Sequence, residues 1–470
     1  MKKKAIVLGA GITGLTFAWK LLEKGYSVEL VESNNYVGGL ASSFKHKEFL
    51  LDYGPHKIYT QMPHILNEIK NLLGEDMLSF TKKSKVRLLE KYFEYPLDMK
   101  ELIFKINPLI SFKCGLSYFS TLVRSRFVKN EDKSYEDYIV NRFGKTVYDL
   151  AFRPLAEKTW GNPKELSSDM ARTRISMPNL IGVIRGLITG KRYKPEISAK
   201  IIHYPRKAII QLSEKMAGLI KAKKGKIHLG SRPKSINLQD NIFDSVEFIN
   251  TDNKKMKVKA DYLVSTIPLK SLCSLFNPKL PADFIKVVES LAFRNLILLY
   301  VVLNKEKVMK DHYSFFPESK FIFNRLSEQK NLNKLIFPEE KTVLTADIPC
   351  GGDGEIWTKP DKEIFEIALK SYKDIGLLNR DDVDSYFTIR LEEAYPKYDL
   401  LYKQKLNKII TYLDKIGNFM TLGRQGIFNY NNMDHCMDMA IIAAEHISNN
   451  RTKAEWLKRR EYFNTYKIVD

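Results

Sequence analysis

The sequence predicts an α/β protein that opens with a Rossmann-type unit, followed by a helical domain and a mixed-sheet domain. Three observations near the N-terminus carry that expectation. Ala5 to Leu8 is a short apolar run that ends in Gly9-Ala10-Gly11-Ile12-Thr13-Gly14. Leu15, Ala18, Leu21 and Leu22 then recur at helical spacing until Gly25. Ser27 to Val31 resumes a strand pattern and ends at Glu32, about 20 residues beyond the glycines.

Each part of this strand, turn, helix and strand has a physical task. Gly9 permits the tight turn, Gly11 lets the backbone approach a pyrophosphate, and Gly14 lets the helix pack closely on the strand. The helix N-terminus turns unpaired N–H groups and a positive dipole end toward the phosphates. Glu32 stands where the adenosine ribose needs an acceptor. A lone glycine motif is weak evidence, but these parts in register indicate a dinucleotide site.

After Glu32 comes Gly38-Gly39-Leu40-Ala41-Ser42. The combination resembles the flavoprotein class that contains amine oxidases, protoporphyrinogen oxidases, phytoene desaturases and UDP-galactopyranose mutases. The resemblance implies non-covalent FAD in a GR2-like domain, with Gly38, Gly39 and Leu40 near the ribityl-pyrophosphate. NAD is the competing reading for the motif alone, and NAD(P)H is carried as a candidate external reductant.

At 470 residues the chain exceeds what one core usually supports. Ile65, Leu66, Ile69, Leu72 and Leu73 mark a short helix closed by Gly74. The texture changes after Tyr92-Phe93-Glu94-Tyr95-Pro96-Leu97, and from about 98 to 200 it is helical, with a capping box at Ser134 to Asp137. Near 204 the nucleotide-domain texture returns with a helix over Ile209 to Ile220 and a strand ending in Ser265-Thr266-Ile267-Pro268. From 286 to 410 strands dominate, Leu296 to Val302 among them, with a helix over Lys362 to Tyr372. The expected organisation is therefore an FAD domain assembled from 1–85, 201–285 and 415–447, a helical cap domain over 86–200, a sheet-containing substrate domain over 286–414 and a tail over 448–470.

Composition excludes several classes. Hydrophobic residues at 44% with 28% charged describe an ordinary folded protein. The charge of +21 favours anionic partners, small molecules or an anionic membrane surface. No nucleic-acid-binding module accompanies it, so no nucleic-acid partner is expected. Cys114, Cys273, Cys350 and Cys436 form no CxxC pair, so neither a metal site nor a disulfide framework is expected. A cytoplasmic protein fits, with peripheral contact at the inner face of the membrane left open. The basic, aromatic tail from Ser448 reads first as a plain surface helix, with a membrane-surface or dimer-contact helix as the alternative. Oligomeric state is not legible.

Further motifs extend the resemblance toward the mutases. Gly423-Arg424-Gln425-Gly426, the aromatic stretch through Tyr430, and Asp434 before a helix resemble the last FAD segment of that family. Leu51-Asp52-Tyr53-Gly54-Pro55-His56 matches the segment that carries a histidine beside the flavin. Glu157 to Leu166, with Trp160, resembles the segment of the active-site tryptophan, and Arg174 follows it. Phe323 to Asn331, with Arg325, resembles the segment of the second catalytic arginine. The resemblance implies Arg174, Arg325 and His56 as catalytic, Trp160, Tyr395 and Tyr430 as substrate-binding, and Arg424 and Asp434 as cofactor-binding.

Two guanidiniums in one cleft suit a diphosphate, because each is always charged and offers paired donors. In the mutases reduced flavin acts as a nucleophile toward the sugar while the arginines stabilise the departing diphosphate. The expected substrate is thus an anionic small molecule, a nucleotide sugar, in surface-glycan biosynthesis. An oxidase or desaturase of a bulky, partly apolar substrate, and a non-catalytic flavin-binding subunit, are the alternatives. Plain structural roles also stand beside each residue: a salt bridge for either arginine, core packing for Trp160, a satisfied histidine for His56. Two departures from the pattern are Pro233, where the class usually has a valine with a free N–H, and Arg206-Lys207-Ala208, where a glycine pair often follows Tyr-Pro.

Overall fold

The computed structural model describes residues 2–95, 97, 101, 104–127, 131–175, 200–352 and 354–468. Lys4–Leu8 is the middle strand of a five-stranded parallel sheet in the order Phe419–Thr421, Tyr262–Ser265, Lys4–Leu8, Ser27–Val31, Lys226–His228. Parallel strands bury both faces, which is why these segments read as continuous apolar runs. Helix Ile12–Glu23 packs between Ile210–Ala222 and Met433–Ser448. Ten of its twelve residues are buried, because the sheet covers one side and helices cover the other.

A second sheet has seven strands in the order Val383–Pro396, Phe293–Leu303, Thr342–Cys350, Arg325–Glu328, Tyr313–Phe315, Ser84–Leu88, Lys91–Glu94. All pairs are antiparallel except Tyr313–Phe315 with Ser84–Leu88. Along Phe293–Leu303, Ile297, Leu299 and Val301 enter one core with helix Asp361–Asp374, while Leu296, Leu298, Tyr300 and Val302 enter another with Phe49 and Leu51. Alternate residues serve two cores, so this strand shows no polar face.

One boundary of the sequence reading moves. The helical domain expected from 86 begins inside a hairpin, Ser84–Leu88 with Lys91–Glu94, that extends the seven-stranded sheet. Its two-residue loop places Leu89 and Glu90 at φ of 49° and 63°. Both central residues of such a turn need positive φ, and without Gly or Asn there the turn leaves no composition signal. The helices Pro108–Phe127, Tyr135–Phe143 and Arg153–Trp160 follow. Ser134 caps the second of these reciprocally with Asp137. Residues 176–199 of that expected domain lie outside the described residues.

The C-terminal tail forms helix Lys453–Glu461 and a short 3₁₀ turn over Tyr462–Thr465. Trp456 and Phe463 are buried in the main core rather than turned to the surface. Beyond them the Ile468 N–H donates to the Thr173 carbonyl at 2.8 Å, and Tyr466 Oη donates to Asp438 at 2.7 Å. The tail is thereby strapped across the segment that leads into Arg174.

Candidate active site

A cavity of about 480 Å³ runs from the C-terminal ends of the parallel strands to the face of the seven-stranded sheet. At its first end lie Gly9, Gly11, Glu32, Gly38, Gly39 and Leu40. Gly9 has φ of 97°, and Gly11 and Gly38 meet in an isolated parallel bridge. A Cβ on Gly38 would stand 2.9 Å from the Ala41 carbonyl oxygen, and Gly38 and Gly39 hold φ of 103° and 59°, so the second loop takes this shape with glycine at both positions. Gly14 lies behind this wall, where a Cβ would stand 2.0 Å from the Gly9 carbonyl oxygen. The helix that starts at Ile12 has Gly11 as its N-cap, with no capping side chain and no acid in its first turn. Its positive end is left to an anion.

Glu32 is buried and accepts from the Ala10 N–H at 2.8 Å and the Asn34 N–H at 2.9 Å. A carboxylate retains lone pairs beyond these, and it lines the cavity. Asp434, at the start of helix Met433–Ser448, is also buried there, and its Oδ1 makes no hydrogen bond, with His435 Nδ1 3.6 Å away. Burial raises its pKa. The bare helix end, the glycine cradle and the orphaned carboxylate oxygen fit a dinucleotide with ribose and ribityl hydroxyls. Gly9, Gly11, Gly38, Gly39, Glu32 and Asp434 would hold it.

The segment Asp52 to His56 forms the middle of the cavity, and a buried network fixes it. Asp52 accepts from Ser43 Oγ at 2.7 Å, Tyr204 Oη at 2.7 Å and the Ile209 N–H at 3.2 Å. Gln329 accepts from the Asp52 N–H and donates to Tyr204 Oη, and Tyr300 Oη donates to the Asp52 carbonyl. Burial pushes the Asp52 carboxyl up to about 7 against these hydrogen bonds. Ala208, next to Ile209, holds φ of 62°. It carries the left-handed backbone that the absent glycine pair would supply more cheaply.

Burial, with Arg325 and Arg424 nearby, lowers the His56 pKa to about 4. The imidazole is therefore neutral at pH 7. Its Nδ1 lies 3.1 Å from the Gly54 carbonyl and donates to it, which leaves Nε2 as the acceptor.

At the far end Tyr395 and Tyr430 stack with ring centres 5.3 Å apart and planes 5° apart. The Arg174 guanidinium carbon lies 3.9 Å from the Tyr430 ring centre and that of Arg424 lies 4.2 Å from it. Arg174 donates to Met170 and Thr173, Arg424 to the Asn431 and Ala394 carbonyls. Neither pairs with a carboxylate among the described residues, and Arg174 Nη2 and Arg424 Nε are buried without partners. Arg325 differs, since it is paired with the buried Asp347, whose own pKa burial raises.

The structure thus gathers Gly9, Gly11, Glu32, Gly38, Gly39, Leu40, His56, Arg325, Tyr395, Arg424, Tyr430 and Asp434 around one cavity. Arg174 joins them through Tyr430. Trp160 does not line the cavity: it lies in the core against Tyr135 and behind Arg174, 5.2 Å from that guanidinium, because the chain reverses at Gly161. Pro233 sits away from the cavity beside an irregularity in its strand, where a missing N–H is tolerated. Sequence reasoning missed Asn34, Lys57, Tyr313 and Gln329. Lys57, adjoining His56, and Gln329, inside the Phe323 to Asn331 segment, offered a signal.

The sequence profile of the flavin-containing amine oxidoreductases matches residues 12–390. A probable UDP-galactopyranose mutase from Klebsiella pneumoniae is 23% identical over 36% of this chain and 44% of its own length. A coproporphyrinogen III oxidase from Bacillus subtilis is 23% identical over 87% of this chain and 90% of its own. Among solved structures, a reduced UDP-galactopyranose mutase superposes with a TM-score of 0.82 at 19% identity, covering all of both chains. A putative protoporphyrinogen oxidase from Exiguobacterium gives 0.72 at 16% identity, over 96% of this chain and all of that one.

Proposed function

The chain belongs to the flavin-containing amine oxidoreductase family, and from that premise we propose that this FAD-dependent enzyme acts on a nucleotide sugar, as a pyranose–furanose mutase or a sugar oxidoreductase. The observation that supports the reading is the pair of guanidiniums, Arg174 and Arg424, on stacked tyrosines with no carboxylate partner. Buried, unpaired guanidinium donors are costly unless an anion completes them. A diphosphate offers the clustered anionic acceptors that paired guanidinium donors take.

FAD, when bound, supplies two-electron redox chemistry or, once reduced, a nucleophile. The chain's own residues do the rest. Arg174 and Arg424 bind and charge-stabilise the diphosphate, while Asp347 orients Arg325 toward the same end. Neutral His56 offers Nε2 as an acceptor for a sugar hydroxyl. Tyr395 and Tyr430 carry these guanidiniums at the end of the cavity where the sugar diphosphate would lie.

The test is anaerobic incubation of oxidised and dithionite-reduced protein with UDP-galactose and other nucleotide sugars, with chromatographic separation of products. An isomer formed only by reduced protein identifies a mutase. Flavin bleaching with an oxidised sugar identifies a redox enzyme. Arg174→Ala is expected to weaken UDP binding by about 100-fold, in line with loss of a charge-assisted contact. Unchanged UDP affinity in that variant would overturn the proposal.

A second reading, oxidation of a bulky and partly apolar substrate, has one observation in its favour. The alignment to a coproporphyrinogen III oxidase extends over 87% of the chain. Turnover of a porphyrinogen, unaffected by Arg174→Ala, would establish it.

A further inference from the structure

Among the described residues, nothing covers the more apolar face of helix Pro108–Phe127. Leu109, Phe112, Leu116, Phe119, Val123 and Phe127 are all exposed, with Leu109 at 72%, Phe112 at 66% and Phe127 at 83%. At 100° per residue these six positions fall within an arc of about 80°. The opposite side packs inward: Ile110 joins the core of Val86, Leu88 and Phe93, Cys114 joins the main core, and the helix lies against Tyr135–Phe143 and Lys145–Val147. Twenty residues give the exposed stripe a length of about 30 Å.

Charge decides what this face fits. Residues 104–130 contain Lys105, Lys113, Arg124, Arg126 and Lys129 and no Asp or Glu. Lys113 and Arg124 are exposed beside the stripe. Two copies of the face would bring Lys113 and Arg124 of each copy together, in a chain that already carries +21. An apolar stripe bordered by basic residues is instead matched by a surface that is apolar within and anionic at its edge. No helix among the described residues is long and apolar enough to cross a membrane, so this one would lie along the surface.

We propose that the helix over 108–127 docks the enzyme on an anionic lipid bilayer. Phe112, Phe119 and Phe127 enter the interface, and Lys113 and Arg124 meet the headgroups. The tail contributes little, since Trp456 and Phe463 are committed to the core.

The experiment is flotation of the full-length, flavin-loaded protein with vesicles of phosphatidylcholine alone or with equal phosphatidylglycerol. Wild type is expected to float with the anionic vesicles and to remain below with the neutral ones. Phe112→Asp/Phe119→Asp and, separately, Lys113→Glu/Arg124→Glu are each expected to lower the floated fraction by about tenfold or more. Both pairs are exposed, and an unchanged flavin spectrum verifies that the variants fold. Failure of wild type to float, or equal flotation of the variants, overturns the proposal. So does a concentration-dependent dimer, abolished by Phe112→Asp/Phe119→Asp, in a protein that does not bind vesicles.

Discussion

At the scale of single residues, the site is governed by what each side chain lacks. Arg325 is held by Asp347, whereas Arg174 and Arg424 spend their donors on carbonyls, a sulfur and a hydroxyl and keep buried N–H groups unpaired. In the proposed reading, that difference makes the latter pair the diphosphate receptor and Arg325 the fixed neighbour. Gly14 shows the opposite economy, a residue needed for having nothing. Gly14→Ala sets a methyl 2.0 Å from the Gly9 carbonyl, which only a backbone shift relieves. The expected result is protein purified with less than about a tenth of the wild-type flavin per chain, read from visible absorbance, because the turn and helix end that face the phosphates move together.

At the scale of elements, the segment over Asp52 to His56 is anchored by Ser43 of its own hairpin and by groups from three distant parts of the chain: Tyr204, Tyr300 and Gln329. Asp52 makes this anchor sensitive to pH. Its folded pKa of about 7 lies above the ordinary 3.8, so between those values the folded state holds more protons than the unfolded state. Stability from this group is full below about 4 and is lost as pH rises through 7. Urea unfolding of wild type at pH 5 and pH 8 is expected to show this loss, on the order of 2 kcal/mol, and Asp52→Asn is expected to remove it. Equal pH dependence in the two proteins would show that another group carries the effect. His56 acts in the other sense: its pKa lowered to about 4 makes the folded state less stable as pH falls from about 6.5 toward 4.

At the scale of the whole molecule, the cavity exists because the parallel sheet and the seven-stranded sheet are assembled from interleaved segments of chain. The tail completes it from the outside. Lys467 Nζ donates to the Arg172 carbonyl, and the Ile468 N–H to that of Thr173, directly before Arg174. Truncation after Thr465 is expected to leave flavin content unchanged and to weaken UDP binding by about tenfold, because a small displacement of Arg174 breaks its match to the phosphates. Isothermal titration of UDP into the truncated and intact proteins measures this directly. An unchanged affinity would mean that Met170, Thr173, Trp160 and Tyr430 hold the guanidinium without the tail.

The nucleotide end was legible from residues in order, because its parts are local: a strand, a turn that tolerates only glycine, and a helix end lie within a few dozen residues. Family-level motifs extended that to His56, Arg325, Arg424 and Tyr430. The hairpin at Leu89-Glu90 was not legible, since its positive φ values fall on residues that do not advertise them. Nor was the inward placement of Trp160, which depends on the reversal at Gly161 and on packing against Tyr135. The pairing state of each arginine was likewise a tertiary matter. A guanidinium becomes a receptor or a strut according to whether a carboxylate from a distant strand reaches it, and only the assembled sheets decide that.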